Sequence, residues 1–232
     1  MPSITRRRTA KVGRPTSAEA DILAATQRLL IDGANFTELG VQHICTEAGV
    51  ARSTFYSHFR DKVDLLIRLA TELMTSSFDV TSAWSPSDGV ERLADAFLQV
   101  VKVYRKHAAV RRALAEVATY DVTVRDFWSA ELNQFTDWTI AVLRAEQDAG
   151  RTPADLDPVS ATRVIVMGGE RALVDHVTAG DPAGDAAFAR ELALTWWYGF
   201  YRRPAGGASK AGTSPEVLAD HPSRCARTHD AL

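Results

Sequence analysis

The chain has 232 residues, is 46% hydrophobic and carries a formal net charge of −2, which fits one larger or two small globular domains and excludes a chain disordered throughout. It shows no apolar run near the ~20 residues that span a bilayer, and its charged N-terminus lacks the apolar stretch of a secretory signal. Two cysteines, Cys45 and Cys225, make neither a disulfide framework nor a metal-ligand spacing, so no metal, cofactor or membrane partner is expected and a reducing cytoplasm is the expected compartment.

The charge is unevenly spread. Residues 1–18 hold Arg6, Arg7, Arg8, Lys11 and Arg14 with no acidic residue, a net of +5; through residue 60 the net is +3, and the remainder carries −5. A cationic arm on an otherwise acidic chain suits an anionic polymer meeting the N-terminal end, with a solvated tail as the alternative. Gly13-Arg14-Pro15-Thr16 places an extended arginine before proline, a shape that fits an A·T-rich minor groove.

Thr16 or Ser17 is suited to cap a first helix with Glu19 and Asp21 in its opening turn. Ile22, Ala25 and Leu29 then recur at helical spacing until Asp32-Gly33, and Phe36 and Leu39 are expected to pack between this helix and the next pair. Residues 42–59 read as two short helices. Ile44, Cys45 and Ala48 give the first an apolar face, Val50, Phe55 and Phe59 the second, and Gly49 stands where the chain must turn. This is a helix-turn-helix pattern, or else an ordinary αα-hairpin. As a DNA reader it would bring Arg52, Ser53 and Thr54 to base edges. Tyr56, His58 and Lys62 are then better placed for phosphates, and Gln42 for the backbone or a flanking base. Asp61 is expected to cap a fourth helix over 61–78, followed by a linker at 79–88.

Phe36 through Lys62, with Ile44, Ala48-Gly49-Val50, Thr54-Phe55-Tyr56 and Phe59, resembles the DNA-binding domain of the TetR family of transcriptional regulators. The agreement runs from about residue 19 to 62, behind the basic arm. It departs at Gly40, where the family often places a Ser or Thr cap able to bind phosphate; Thr37 is the candidate substitute. The resulting division is a basic flexible arm (1–18), a helix-turn-helix domain (19–66), a ligand-binding and dimerisation domain (67–203) and a disordered tail (204–232) rich in Pro, Gly, Ser and Ala.

Beyond the linker the periodicity stays helical, over 88–106, 108–119, 122–149, 158–179 and 183–203, with Asp157-Pro158 as a helix start. No alternating strand pattern of useful length occurs, so the predicted fold is all-α with about nine helices. Three apolar stripes face inward: Phe97, Val100, Val101 and Tyr104; Trp128, Leu132, Phe135 and Thr139; Val166, Gly169, Glu170 and Leu173. They make either a solid core or a cavity. Large aromatics beside Gly168 and Gly169, and a carboxylate on an apolar stripe, favour the cavity.

Phe127-Trp128-Ser129, Ala145-Glu146, Gly169-Glu170-Arg171-Ala172-Leu173 and the aromatic run from Trp196 to Tyr201 resemble one TetR branch, the ethionamide-activation-type repressors. The resemblance implies a long hydrophobic channel bounded by Leu93, Phe97, Val100, Tyr104, Trp128, Leu132, Phe135, Thr139, Glu170, Leu173 and Trp196. Val166 and Gly169 stand where that branch has asparagine amides, so the polar anchor for a ligand must differ; Phe135 replaces an expected tryptophan. The last two helices resemble the family's dimerisation pair, with Ala161, Val164, Ile165, Ala172, Leu192, Ala193 and Trp197 as the expected interface.

The combined expectation is a homodimeric, ligand-responsive regulator, most simply a repressor. It would bind a near-palindromic double-stranded DNA operator and be released by an elongated apolar small molecule. A helical DNA-binding protein with a solid core and no effector, or a helical-bundle enzyme, are the alternatives. Catalysis finds no Ser/His/Asp, Cys/His, two-metal or phosphate-loop constellation, and Glu170 and His176 fall on different faces of one helix.

Overall fold

The computed structural model describes residues 17–202. The expected arm contacts at Arg6, Arg7, Arg8, Lys11 and Arg14, the cap at Thr16 and the tail with Cys225 lie outside them. Among the described residues nine α-helices follow one another: α1 (Ser17–Ile31), α2 (Val41–Ala48), α3 (Arg52–His58), α4 (Lys62–Ser82), α5 (Gly89–Lys106), α6 (Ala108–Val117), α7 (Val122–Asp148), α8 (Pro158–Ala179) and α9 (Asp185–Leu194). A π-helical turn, Thr195–Phe200, continues α9.

Aspartates start several of these helices. Asp61 Oδ1 accepts from Asp64 N at 2.8 Å, Asp121 Oδ1 from Thr123 N at 2.8 Å and Asp157 Oδ2 from Ser160 N at 3.0 Å, each satisfying an amide with no intrahelical partner. Gly40 begins α2 with extended backbone and no side-chain cap. Gly49 ends α2 at φ 68°, the left-handed conformation that lets Val50 N return to Cys45 O at 3.0 Å.

The expected linker at 79–88 is shorter than its sequence suggested, because α4 runs on through Ser82. Ser77 and Thr81 do not form turns there. Their hydroxyls donate back to the carbonyls of Leu73 and Ser77 at 2.9 and 3.0 Å, which consumes their turn-forming capacity within the helix. The stop comes at Ser85 and Asp88, whose reciprocal capping box encloses a 3-10 turn, Pro86–Asp88.

Two apolar cores form. The first joins Ile22, Leu30, Phe36, Ile44, Phe55 and Phe59 to Leu65, Leu66 and Leu69 of α4; it also takes in Val110, Ala113, Leu114 and Val117 of α6 and Val124 at the head of α7. The N-terminal unit therefore does not close at residue 66, since its floor is supplied by α6. The second core gathers Phe97, Val100, Val101 and Tyr104 of α5, Leu143 of α7, Val166 and Leu173 of α8, and the final aromatics.

The π turn explains how so many of those aromatics point one way. Its wider pitch, marked by the Tyr201 N to Trp196 O bond at 2.9 Å, lets Trp196, Trp197, Phe200 and Tyr201 all turn inward. One polar clamp fixes this end. Arg105 of α5 donates to Asp185 of α9 from Nε (2.7 Å to Oδ2) and Nη2 (2.6 Å to Oδ1), and His176 Nε2 of α8 lies 2.8 Å from Asp185 Oδ1. The Arg105 guanidinium holds the Asp185 carboxyl below the usual carboxylate range.

Candidate nucleic-acid interface and interior cavity

On α3 the apolar side is taken by Phe55, which is fully buried, leaving Arg52, Ser53 and Tyr56 exposed and Thr54 and His58 half-buried. Arg52 is not loose: its Nη2 donates to the Tyr56 hydroxyl at 3.3 Å and its guanidinium carbon lies 5.6 Å from that ring's centroid. The helix thus presents a planar donor fork held one turn from a phenol, a geometry suited to a bidentate acceptor pair on a base edge. Gln42 and His43 are exposed on α2, whose position against α1 is supported by the Arg28–Glu47 ion pair at 3.1 Å.

Two residues expected at phosphates make hydrogen bonds within the chain, Lys62 half-buried and Thr37 at the surface. Lys62 Nζ donates to the carbonyls of Phe36, Thr37 and Leu39 at 3.0, 2.9 and 2.8 Å, which uses all three of its protons. Partial burial pushes its pKa down, with Glu116 acting in the opposite sense. The Thr37 hydroxyl contacts both the Glu116 carboxylate and the Tyr120 hydroxyl. Lys62 and Thr37 therefore brace the loop between α1 and α2 against α4 and α6, a role that no local pattern in the sequence advertised.

The C-terminal interior is not solid. It holds a cavity of about 290 Å³ that reaches the surface at Thr75 and Gln134. Phe97, Val100 and Tyr104 of α5, Leu132 and Phe135 of α7, Val166, Gly169, Glu170 and Leu173 of α8, and Trp196 line it, all from the expected set. Four expected residues do not. Leu93 and Val101 are buried on neighbouring faces of α5 in the second core, Thr139 spends its hydroxyl on Phe135 O at 2.8 Å, and Trp128 turns away to lie against Arg111, 4.5 Å from ring centroid to guanidinium carbon.

One wall escaped the sequence reading. Met74, Thr75, Ser77, Phe78 and Thr81 of α4 line the cavity, as do Glu131 and Gln134 of α7 and Leu192 of α9. The α4 stripe was legible at Phe78 but was cut off by the supposed linker. Gly168, thought to loosen the core, is exposed; only Gly169 faces the cavity, where an added Cβ would lie 3.6 Å from Leu192 Cδ1 and 3.7 Å from Trp196 Nε1.

Glu170 is paired at its position. Its Oε1 sits 2.5 Å from Arg111 Nη2, close enough for an ion pair though outside hydrogen-bond alignment. Burial pushes the Tyr104 phenol up to about 12, the nearby Arg111 opposing and Glu170 reinforcing that shift, so the hydroxyl stays protonated. No lysine, arginine or histidine lines the cavity among the described residues.

The expected dimer face also needs correction. Ala193 and Trp197 are buried within the chain and Leu192 lines the cavity, so these three are spent internally. Ala161 and Ile165 are half-buried, while Val164 and Ala172 of the expected set are exposed. Val164 is 74% exposed, and it is joined outside by Met167 at 46% and Tyr198 at 44%.

Residues 22–69 match the family model described as bacterial regulatory proteins, tetR family, and residues 93–201 match the C-terminal domain of transcriptional regulator EthR. The chain is 28% identical over 159 residues to the HTH-type transcriptional regulator EthR of Mycolicibacterium smegmatis, covering 67% of this chain and 73% of that protein. It is 26% identical over 192 residues to the EthR of Mycobacterium tuberculosis, covering 81% and 89%. In fold it is similar to the transcriptional regulator FadR from Bacillus subtilis in complex with stearoyl-CoA, at a TM-score of 0.60 and 17% identity, covering 76% of this chain and 96% of that one.

Proposed function

From the premise that this chain belongs to the TetR family, a transcriptional regulator with an EthR-type C-terminal domain and not an enzyme, we propose that it acts as a homodimeric repressor whose hold on DNA is released by an elongated apolar small molecule. Arg52, Ser53 and Thr54 read bases, and Tyr56, His58 and Gln42 contact the backbone. A twofold dimer presents two such surfaces and so selects a near-palindromic operator.

The observation that carries the reading is that α4 touches both sites. Its first residue, Lys62, holds the loop leading into α2, and its last two turns supply Phe78 and Thr81 to the cavity wall. A ligand that displaces Phe78 moves a helix whose other end is bonded to the DNA-reading unit. Such a ligand shifts the equilibrium only by its difference in affinity for the two arrangements. The FadR relative was solved with stearoyl-CoA, which carries a long acyl chain, and this supports an elongated apolar effector here.

The test is a gel-shift titration of the full chain against the DNA upstream of its own coding sequence at fixed salt, repeated with long-chain apolar compounds. Specific retention that those compounds abolish is the expected result. Retention unaffected by every compound that binds the protein would overturn the ligand-released reading.

A further inference from the structure

We infer that Trp196 is the polar anchor of the cavity, and that the effector it takes is a neutral molecule with a hydrogen-bond acceptor of carbonyl type set within an apolar frame. This rests on the ligand-binding reading above and names the chemistry of that site.

Trp196 is 6% exposed, it lines the cavity, and its Nε1 is a buried donor with no hydrogen-bond partner among the described residues. Buried indole N–H groups ordinarily find an acceptor, because leaving one unpaired forfeits its hydration without return. The ring cannot easily turn to find one. Phe97, Phe135 and Phe200 surround it with centroids at 5.5, 6.4 and 5.2 Å. The wall beside the N–H is bare backbone because residue 169 is glycine; a Cβ there would lie 3.7 Å from Nε1, in ordinary contact. A donor held fixed and unpaired in a cavity wall is where a ligand that parts the wall would place an acceptor atom.

The rest of the wall argues for a neutral ligand. No cation lines the cavity among the described residues, so a carboxylate would find no counter-charge there. Glu170 does not call for a cation, since Arg111 Nη2 lies 2.5 Å from its Oε1 and offsets its charge. Glu131 is half-buried and partly solvated. Among the described residues, Trp196 Nε1 is the buried donor of the lining that has no acceptor.

The test is isothermal titration of the full chain and of the Trp196→Phe and Gly169→Ala variants. The ligands are hexanophenone, hexylbenzene, 6-phenylhexanoate and 6-phenylhexylammonium. The expected result is that the preference for the ketone over the hydrocarbon falls about five- to tenfold in Trp196→Phe, the worth of one neutral hydrogen bond. Gly169→Ala, which keeps the indole but sets a methyl group beside its N–H, shrinks the preference in the same direction and remains informative if Trp196→Phe fails to fold. The two charged probes bind more weakly than the ketone. An unchanged preference in both variants, or tighter binding of either charged probe, overturns the anchor while leaving an apolar ligand site in place. Failure of all four to bind the unaltered chain removes the ligand-binding reading itself.

Discussion

Arg111 of α6 meets Glu170 of α8 at 2.5 Å, and the same guanidinium lies over the faces of Trp128 and Tyr104 at 4.5 and 5.4 Å. Three helices of the C-terminal half thereby converge on the helix that floors the DNA-reading unit. The pair is mostly buried, its side chains 15% and 20% exposed. Removing one partner strands the other charge. Glu170→Ala is expected to destabilise the fold by about 2 kcal/mol, below the roughly 3–5 kcal/mol for a fully buried pair because some solvent remains. The double variant Arg111→Met, Glu170→Leu is expected to recover most of that loss. Urea denaturation of Arg111→Met, Glu170→Leu and the double measures it, and a double variant no better than those singles would refute the reading.

Lys62 stands at the centre of a second coupling. Its three bonds to the Phe36, Thr37 and Leu39 carbonyls fix the loop before α2. Lys62→Met is expected to cost about 2 kcal/mol of stability, the scale of charge-assisted bonds partly open to water. Its salt dependence is the sharper readout. A lysine on phosphate contributes about 0.9 to the slope of log affinity against log salt, whereas one that braces a loop contributes none. The slope for Lys62→Met should therefore match that of the parent chain.

Arg52 gives the opposite expectation. Arg52→Ala is expected to weaken binding to the operator by about 1–3 kcal/mol, with a much smaller loss on random DNA at the same salt. Equal losses on both would mean that Arg52 meets phosphate and not bases. Gly40→Ser provides a mild gain beside it. No described residue lies within 4 Å of an added Cβ there, and a serine cap adds a hydroxyl to the first turn of α2, worth a few tenths of a kcal/mol in thermal stability.

How far the sequence reached can be seen residue by residue. The helix-turn-helix was legible because its signals are local: apolar positions at helical spacing, a glycine at φ 68° and an aspartate cap at Asp61. Most of the cavity wall was legible from three stripes at helical spacing. What escaped depends on partners far away in the chain. Trp128 left its stripe for Arg111, Lys62 found carbonyls more than twenty residues back, and α6 joined the N-terminal core across a supposed domain boundary. Trp197 misled for a related reason, since it lies in a π turn, which alters which side chains share a face, and helical periodicity cannot show it.

His107 makes stability depend on pH. It is 3% exposed at the junction of α5 and α6, and burial pushes its pKa below 6.5, with Glu72 opposing and Lys106 adding to the shift. The folded chain therefore takes up this proton at lower pH than the unfolded chain does. As pH falls below about 6.5 the unfolded state is favoured, and stability declines until the lower folded pKa is reached. His107→Gln is expected to flatten the slope of unfolding free energy between pH 7.5 and 5.5, whatever it does to the absolute value. Chemical denaturation across that range would show it, and parallel slopes would rule it out.

The exposed apolar residues of α8 and the π turn supply the last prediction. Val164, Met167 and Tyr198 are too large and too exposed to be explained by the chain's own packing, and Ala172 and Gly168 beside them are small enough to let a second helix approach closely. If this face closes a twofold dimer, each partner contributes the same patch. Val164→Glu then sets two carboxylates against each other across the axis, while 74% exposure means that it disturbs nothing inside the protomer. The expected outcome is a monomer by light scattering, with unchanged helical circular dichroism. Affinity for the palindromic operator should fall by more than affinity for a half-site, because only the full site gains from linking two reading surfaces. A dimer that survives Val164→Glu and Tyr198→Glu together would move the interface elsewhere.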